Sequence, residues 1–238
     1  MMLSLPVKYK VGKKIPLKDL ISKELKPNEK RKIKSFLKKA VLTYQIAGEE
    51  IPSVHDDIYH YQVIQYYDFE LEDIKKSSYM ANVYQPLIKS PCVIRFFDFK
   101  NEMFSLALKR LNQVNSADVI VSDFLNTETY QIMLPDKHKQ RLFELLDYEN
   151  IINRENKVTF YQEMYVKVFI QTNRNLYHNA TSFLDAPIWY DTNKVAKLYS
   201  ALKEIKSNYE QLKKTNVNAE KMKINQKIRT SIEALDNL

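Results

Sequence analysis

Near the carboxyl end, Val195, Leu198, Leu202, Ile205, Tyr209 and Leu212 follow one another at steps of 3, 4, 3, 4 and 3 residues. Among regular structures only one side of an α-helix carries that spacing, so the segment must be a helix with an apolar a/d seam. The register breaks at Thr215-Asn216-Val217-Asn218, a stretch of good capping residues. Met222, Ile224, Ile228, Ile232 and Leu235 then carry apolar positions onward. A helical hairpin and a single long helix with a stutter both fit. Fewer than three clean heptads make a poor autonomous coiled coil, so the seam has to be covered by the second helix, by the body of the protein or by another chain. On this reading the six seam residues are the expected partner-binding surface, for a protein partner or for self-association.

Upstream of the tail the periodicities are mixed. From residue 27 to residue 46, Ile33, Phe36, Leu37, Ala40, Val41 and Tyr44 recur at helical spacing, which predicts one amphipathic helix entered at Pro27. A shorter helix over Leu17–Glu24 precedes it. From Tyr61 to Leu71 the odd positions are Tyr61, Val63, Gln65, Tyr67, Phe69 and Leu71, a near period-two run that predicts a strand. Helical spacing returns with Met80, Val83, Tyr84, Leu87 and Ile88, predicting a helix over Glu72–Ile88 that stops before Pro91. Cys92–Asp98 and Met103–Leu111 read as a hairpin across Phe99-Lys100-Asn101-Glu102. Ala117–Phe124 and Thr129–Leu134 are further strand candidates, and His138–Ile151 and Lys157–Asn173 are helical. The expected fold is α+β: a single mixed sheet with packed helices over residues 1–191, followed by a helical hairpin or coiled-coil tail over residues 192–238.

Charge is distributed unevenly along this frame. Residues 1–40 hold 13 Lys/Arg against 3 Asp/Glu, whereas residues 41–191 hold 14 against 21 and residues 192–238 hold 10 against 5. A basic end attracts phosphate backbones or acidic surfaces over about a Debye length, roughly 8–10 Å at physiological salt. Lys8, Lys10, Lys13 and Lys14 form the expected nucleic-acid contact, DNA being the candidate ligand; the plainer explanation of such lysines is that they solvate the surface. The single cysteine, Cys92, cannot close an internal disulfide. Met1-Met2-Leu3-Ser4-Leu5-Pro6 lacks the pattern of a secretory signal, and no apolar run approaches about 18 residues, so a cytoplasmic protein that spans no membrane is expected.

Catalytic constellations are sparse. His55-Asp56-Asp57-Ile58-Tyr59-His60 gathers two histidines and two carboxylates, but a five-residue step does not put both imidazoles on one helical face, and a polar loop is the expected role; no metal site is predicted. Asp68 and Glu70 share one side of the predicted strand, as the metal-holding carboxylates of restriction-type nucleases do. The lysine that would complete such a site is missing, since Leu71 and Glu72 follow. These two carboxylates are therefore the catalytic candidates only in an alternative, nuclease reading. Cys92 falls in an apolar strand with no histidine nearby and reads as a buried structural thiol. Gly12 and Gly48 stand alone, so no phosphate-binding loop is present and no cofactor is implied.

Several segments together resemble a bacterial and archaeal family defined as domain of unknown function 4391. Lys13-Lys14-Ile15-Pro16-Leu17-Lys18 is similar to the step that leads into that family's first helix. Ile64-Gln65-Tyr66-Tyr67-Asp68-Phe69-Glu70-Leu71 resembles its main strand, Ser90-Pro91-Cys92-Val93-Ile94-Arg95-Phe96-Phe97 its proline-led second strand, and Leu106-Ala107-Leu108-Lys109-Arg110 the next. The lysine-rich tail, with Lys223-Ile224-Asn225, is similar to its terminal helices. The resemblance implies an accessory protein found beside helicases and DNA methyltransferases of restriction-like antiviral systems, and it supplies no catalytic residues. The resulting expectation is a non-enzymatic adaptor subunit of a DNA-directed defence assembly; a metal-dependent nuclease and a simple nucleic-acid-binding module are the alternatives.

Overall fold

The computed structural model describes residues 5–115 and 118–238. The chain divides into two compact units, Met1–Tyr165 and Val166–Leu238. Of the expectations above, those resting on residues 1–4 and on Ala117 lie outside the described residues.

The first unit is built on a mixed sheet. In chain order its elements are β1 (Lys10–Ile15), α1 (Leu17–Leu20), α2 (Pro27–Phe36), β2 (Leu37–Ile46), β3 (Val54–His55), β4 (His60–Tyr61), β5 (Ile64–Leu71), α3 (Ser77–Leu87), β6 (Cys92–Phe97), β7 (Asn101–Leu111), β8 (Val119–Asn126), β9 (Tyr130–Gln131) and α4 (Lys137–Leu146). A further helix, α5 (Lys157–Thr172), begins in this unit and ends in the second. The sheet runs in the order β1-β2-β5-β6-β7-β8, with β9 also on β7, while β3 and β4 form a separate small hairpin. Among the described residues only β5 and β6 pair in parallel, which is why α3 must cross between them. The fold is the α+β arrangement expected, one principal mixed sheet with helices packed on it.

Alternation along β5 sets the two faces. Tyr67, Phe69 and Leu71 enter a core with Ile33 of α2, Met80, Ala81 and Tyr84 of α3, and Ile94 and Phe96 of β6. On the opposite face the Tyr66 hydroxyl lies 3.7 Å from the Met164 sulfur of α5, and Phe104 of β7 meets Phe143 of α4 edge to face with centroids 5.5 Å apart. A sheet covered on both faces explains why β6 and β7 read as nearly continuous apolar runs.

The helix expected over residues 27–46 is corrected. α2 stops at Phe36, and residues 37–46 are β2, paired on one side with β1 and on the other with β5. The cause is local. The β2–β5 register shifts between Leu37 and Lys39 and again between Leu42 and Tyr44, and such bulges insert an extra residue into a period-two strand. Leu37 and Ala40 consequently both reach the core although they are three residues apart, which mimics helical spacing. The strand expected over Thr129–Leu134 contracts to Tyr130–Gln131, and the helix expected over His138–Ile151 ends at Leu146.

The second unit contains α6 (Thr192–Lys214) and α7 (Asn218–Asp236), joined by Thr215–Val217 and packed together. Asp191 caps α6 by accepting from the Asn193 and Lys194 amides at 3.0 and 3.1 Å. Of the two arrangements open to the tail, this is the helical hairpin. Its interior takes Val195, Leu198, Leu202 and Ile205 from α6 and Ile224, Ile228 and Leu235 from α7. Tyr199 packs edge to face on Phe169 from the end of α5, and Tyr177 donates to the Asp236 carboxylate. No helix among the described residues is long and apolar enough to cross a membrane.

Candidate functional site

Asp68 and Glu70 project from β5 on the face opposite the α3 core, and the sheet register fixes their neighbours. Asp68 opposes Val41 on β2 and Arg95 on β6; Glu70 opposes Lys39 and Phe97. Across Asp68 the Arg95 guanidinium donates through Nη1 at 3.3 Å, and through Nε it donates to Glu102 of β7 at 2.7 Å. Glu102, only 1% exposed, also accepts from Lys139 Nζ at 2.7 Å. Lys139 spends its remaining donors on the carbonyls of Gln131 and Ile132, at 2.9 and 2.8 Å. The result is a chain of alternating charges, Asp68–Arg95–Glu102–Lys139, running from β5 to α4. Burial pushes the Asp68 carboxyl above its ordinary value, against the pull of Arg95.

This arrangement differs from a metal-holding carboxylate pair. The cation that the linear sequence lacked is present in space, but it is Arg95 that occupies Asp68, and Lys139 that occupies Glu102. Among the described residues no group of three or more His, Cys, Asp and Glu side chains could hold a metal ion. His55 and His60 face each other across the β3–β4 hairpin with ring centroids 4.4 Å apart, a cross-strand aromatic pair.

Cys92 is fully buried. Its thiol donates to Gln85 Oε1 at 3.3 Å and lies 3.4 Å from Lys109 Nζ, which donates to the Ile88 and Ser90 carbonyls at 2.6 and 2.7 Å. Burial raises the thiol and lowers the Lys109 ammonium, so the pair pins the α3–β6 connection.

The lysines of the amino-terminal segment separate into two groups. Lys8 is ion-paired with Glu50 and sits over the Tyr9 ring. Lys10, Lys13 and Lys14 are exposed on β1, whose pairing with β2 leaves it at the margin of the sheet. Beside them stand exposed Lys39 and Lys38 of β2, the latter 3.1 Å from Glu72, and exposed Arg31, Lys32 and Lys34 on α2. A cleft lined by Lys14, Lys38 and Lys39 over Ile15, Leu17 and Leu37 runs along this margin. Strand pairing thus brings Lys14, Lys38 and Lys39 together along one flank of the first unit, where Glu72 pairs with Lys38 and Glu70 opposes Lys39.

The seam residues of α6 lie where the hairpin can cover them. Val195, Leu198, Leu202 and Ile205 are buried and Tyr209 and Leu212 half-buried. A stripe already sheltered inside one chain does not call for a second chain to cover it. Sequence reasoning missed the Arg95–Glu102–Lys139 network, because its members come from three elements and no local pattern joins them. It also missed an exposed apolar tip: Phe99 is 93% and Met133 86% exposed.

No curated protein and no solved structure matches this chain. A family model described as a domain of unknown function, DUF4391, matches residues 3–235. Because that match runs from the margin strand β1 through the helical hairpin, the chain belongs to the DUF4391 family.

Proposed function

We propose that this protein is a non-enzymatic, DNA-binding accessory subunit of a DNA-directed, restriction-like antiviral assembly. The observation that supports this reading is the basic flank formed by Lys10, Lys13 and Lys14 on β1 with Lys38 and Lys39 on β2 and the exposed cations of α2. Cations held on a strand margin and on the helix beside it form a surface, not a point, which suits contact with successive phosphates. The ion-paired state of Asp68 and Glu102 favours a binding role over hydrolysis. A helicase or methyltransferase partner, and the defence setting itself, come from the family resemblance; such a partner would meet outer faces of the hairpin, because the seam is internal.

Fluorescence anisotropy with a labelled duplex over a series of salt concentrations tests the DNA-binding core of this reading. The affinity should fall steeply with salt, and Lys10→Glu/Lys13→Glu/Lys14→Glu should weaken binding and flatten the dependence by about one unit of log–log slope per lost phosphate contact. Affinity indifferent to salt, or unchanged in the triple variant, defeats it. The nuclease alternative is decided by magnesium- or manganese-dependent cleavage of plasmid DNA that disappears in Asp68→Ala and Glu70→Ala.

A further inference from the structure

The two margins of the sheet differ in charge. β1 carries three lysines at one end of the strand order, whereas β8, at the other end, is eight residues long and carries one charged side chain, Asp123. Among the described residues no strand lies beyond β8. A margin so long and so sparsely charged is a template for another strand.

The backbone of β8 specifies which strand. The Thr127 amide donates to the Phe104 carbonyl at 2.9 Å and the Asn112 amide to the Asp118 carbonyl at 2.8 Å, so the residues turned toward β7 are fixed at both ends. Counting inward by twos, as antiparallel pairing requires, Leu125 and Asp123 face β7 from one end and Ile120 from the other. A bulge absorbs the odd step between them: the register slips between Leu108 and Lys109, and the Ser122 hydroxyl donates to the Leu108 carbonyl at 3.2 Å. The residues whose amides and carbonyls turn outward are therefore Val119, Val121, Phe124 and Asn126. The Phe124 amide is met by the adjacent Asp123 carboxylate at 3.0 Å, an in-strand stand-in for a carbonyl from beyond the margin.

These four residues follow one another at steps of 2, 3 and 2, an order that reads the same in either direction. A regular strand offers its groups at steps of two and falls out of register across the middle, which is how a bulge ordinarily protects a margin. A second β8 running antiparallel stays in register throughout. Val119 then meets Asn126, Val121 meets Phe124, and the bulges face each other across a two-fold axis. The faces agree as well. Phe124 opposes Ala107 and Val121 opposes Lys109, two residues further along β7, so Val121 and Phe124 lie on one face and form a β-branched and aromatic pair across the axis. Asp123 meets Ser122 of the second copy instead of its own counterpart.

We propose that the protein forms a two-fold dimer in which β8 of one copy pairs antiparallel with β8 of a second, joining the two sheets and leaving the lysine-bearing β1 strands at the outer ends. This inference is independent of the DNA-binding reading.

Light scattering on the full chain, from low to high micromolar concentration, should give the mass of two chains. Val121→Pro removes an outward amide and no bond to β7, a change that a margin strand accommodates. It should halve the mass and leave the circular dichroism spectrum unaltered. Should that variant fail to fold, Val121→Lys decides in its place, since it sets a charge on a half-exposed position beside Phe124 of the second copy and should also give single chains. A wild-type chain that stays single at every concentration overturns the proposal, as does growth beyond two chains. A dimer that persists in either folded variant overturns it too, because association then uses another face.

Discussion

Lys139 of α4 donates to Glu102 of β7 at 2.7 Å with both side chains out of solvent, and the same ammonium holds two carbonyls of the β9–α4 connection. The pair joins a helix to the sheet and fixes a turn in one contact.

Breaking that contact from one side should be costly. Lys139→Ala leaves buried Glu102 with Arg95 as its remaining cation and frees the Gln131 and Ile132 carbonyls, a loss of about 3–5 kcal/mol. The paired change Glu102→Gln/Lys139→Met removes both charges and should be clearly milder than the sum of its parts. Urea denaturation of the two single variants and the double variant checks this; strictly additive losses would contradict a coupled pair.

Asp98 should make the protein sensitive to acid. Its folded value lies below the usual 3.8, so it contributes stability that is fully present above that value and is lost as pH falls through the folded one. Asp98→Asn keeps an acceptor for the amides and removes the titration. Stability measured between about pH 6 and pH 2 should therefore fall less steeply in the variant than in the parent.

Cys92 should behave as a reporter of opening, not as a reactive thiol. It is fully buried and its ionisation is disfavoured by burial. A thiol-specific reagent should label it slowly in the native protein and at once in denaturant. Rapid native labelling would show that the α3–β6 region is far less closed than its hydrogen bonds imply.

The hairpin should depend on its own interior. Leu202 is 1% exposed at the centre of the seam, and Leu202→Ala should destabilise the second unit by about 2–5 kcal/mol. Light scattering should meanwhile give the same mass for variant and parent. A change of oligomeric state in the variant would mean that the seam serves association after all.

Elements whose periodicity is set by one uninterrupted face were legible in the sequence. β5 shows through Tyr67, Phe69 and Leu71, and α6 through Val195, Leu198, Leu202 and Ile205, because each of those residues meets the same core as the next. β2 was not legible: the bulge between Leu37 and Lys39 brings Leu37 and Ala40 to one face three residues apart, and a strand then carries a helix's signature. The lysines of β1 could be named from composition, but their neighbours on β2 and α2 came from strand pairing. Glu102 and Lys139 stand 37 positions apart with no local motif between them, so the ion pair belongs to the tertiary structure alone. Asp68 was visible as a carboxylate and invisible as a partner of Arg95.

The position of β1 has one more consequence. Its outward amides and carbonyls sit at an open boundary of the sheet, where a strand from another molecule could add itself. Three like-charged ammonium groups repel any identical strand that approaches, and the irregular register between Lys10 and Lys13 spoils the flat template that stacking requires. Neutralising those lysines would thus invite fibril-like growth, whereas reversing their sign would keep the boundary guarded.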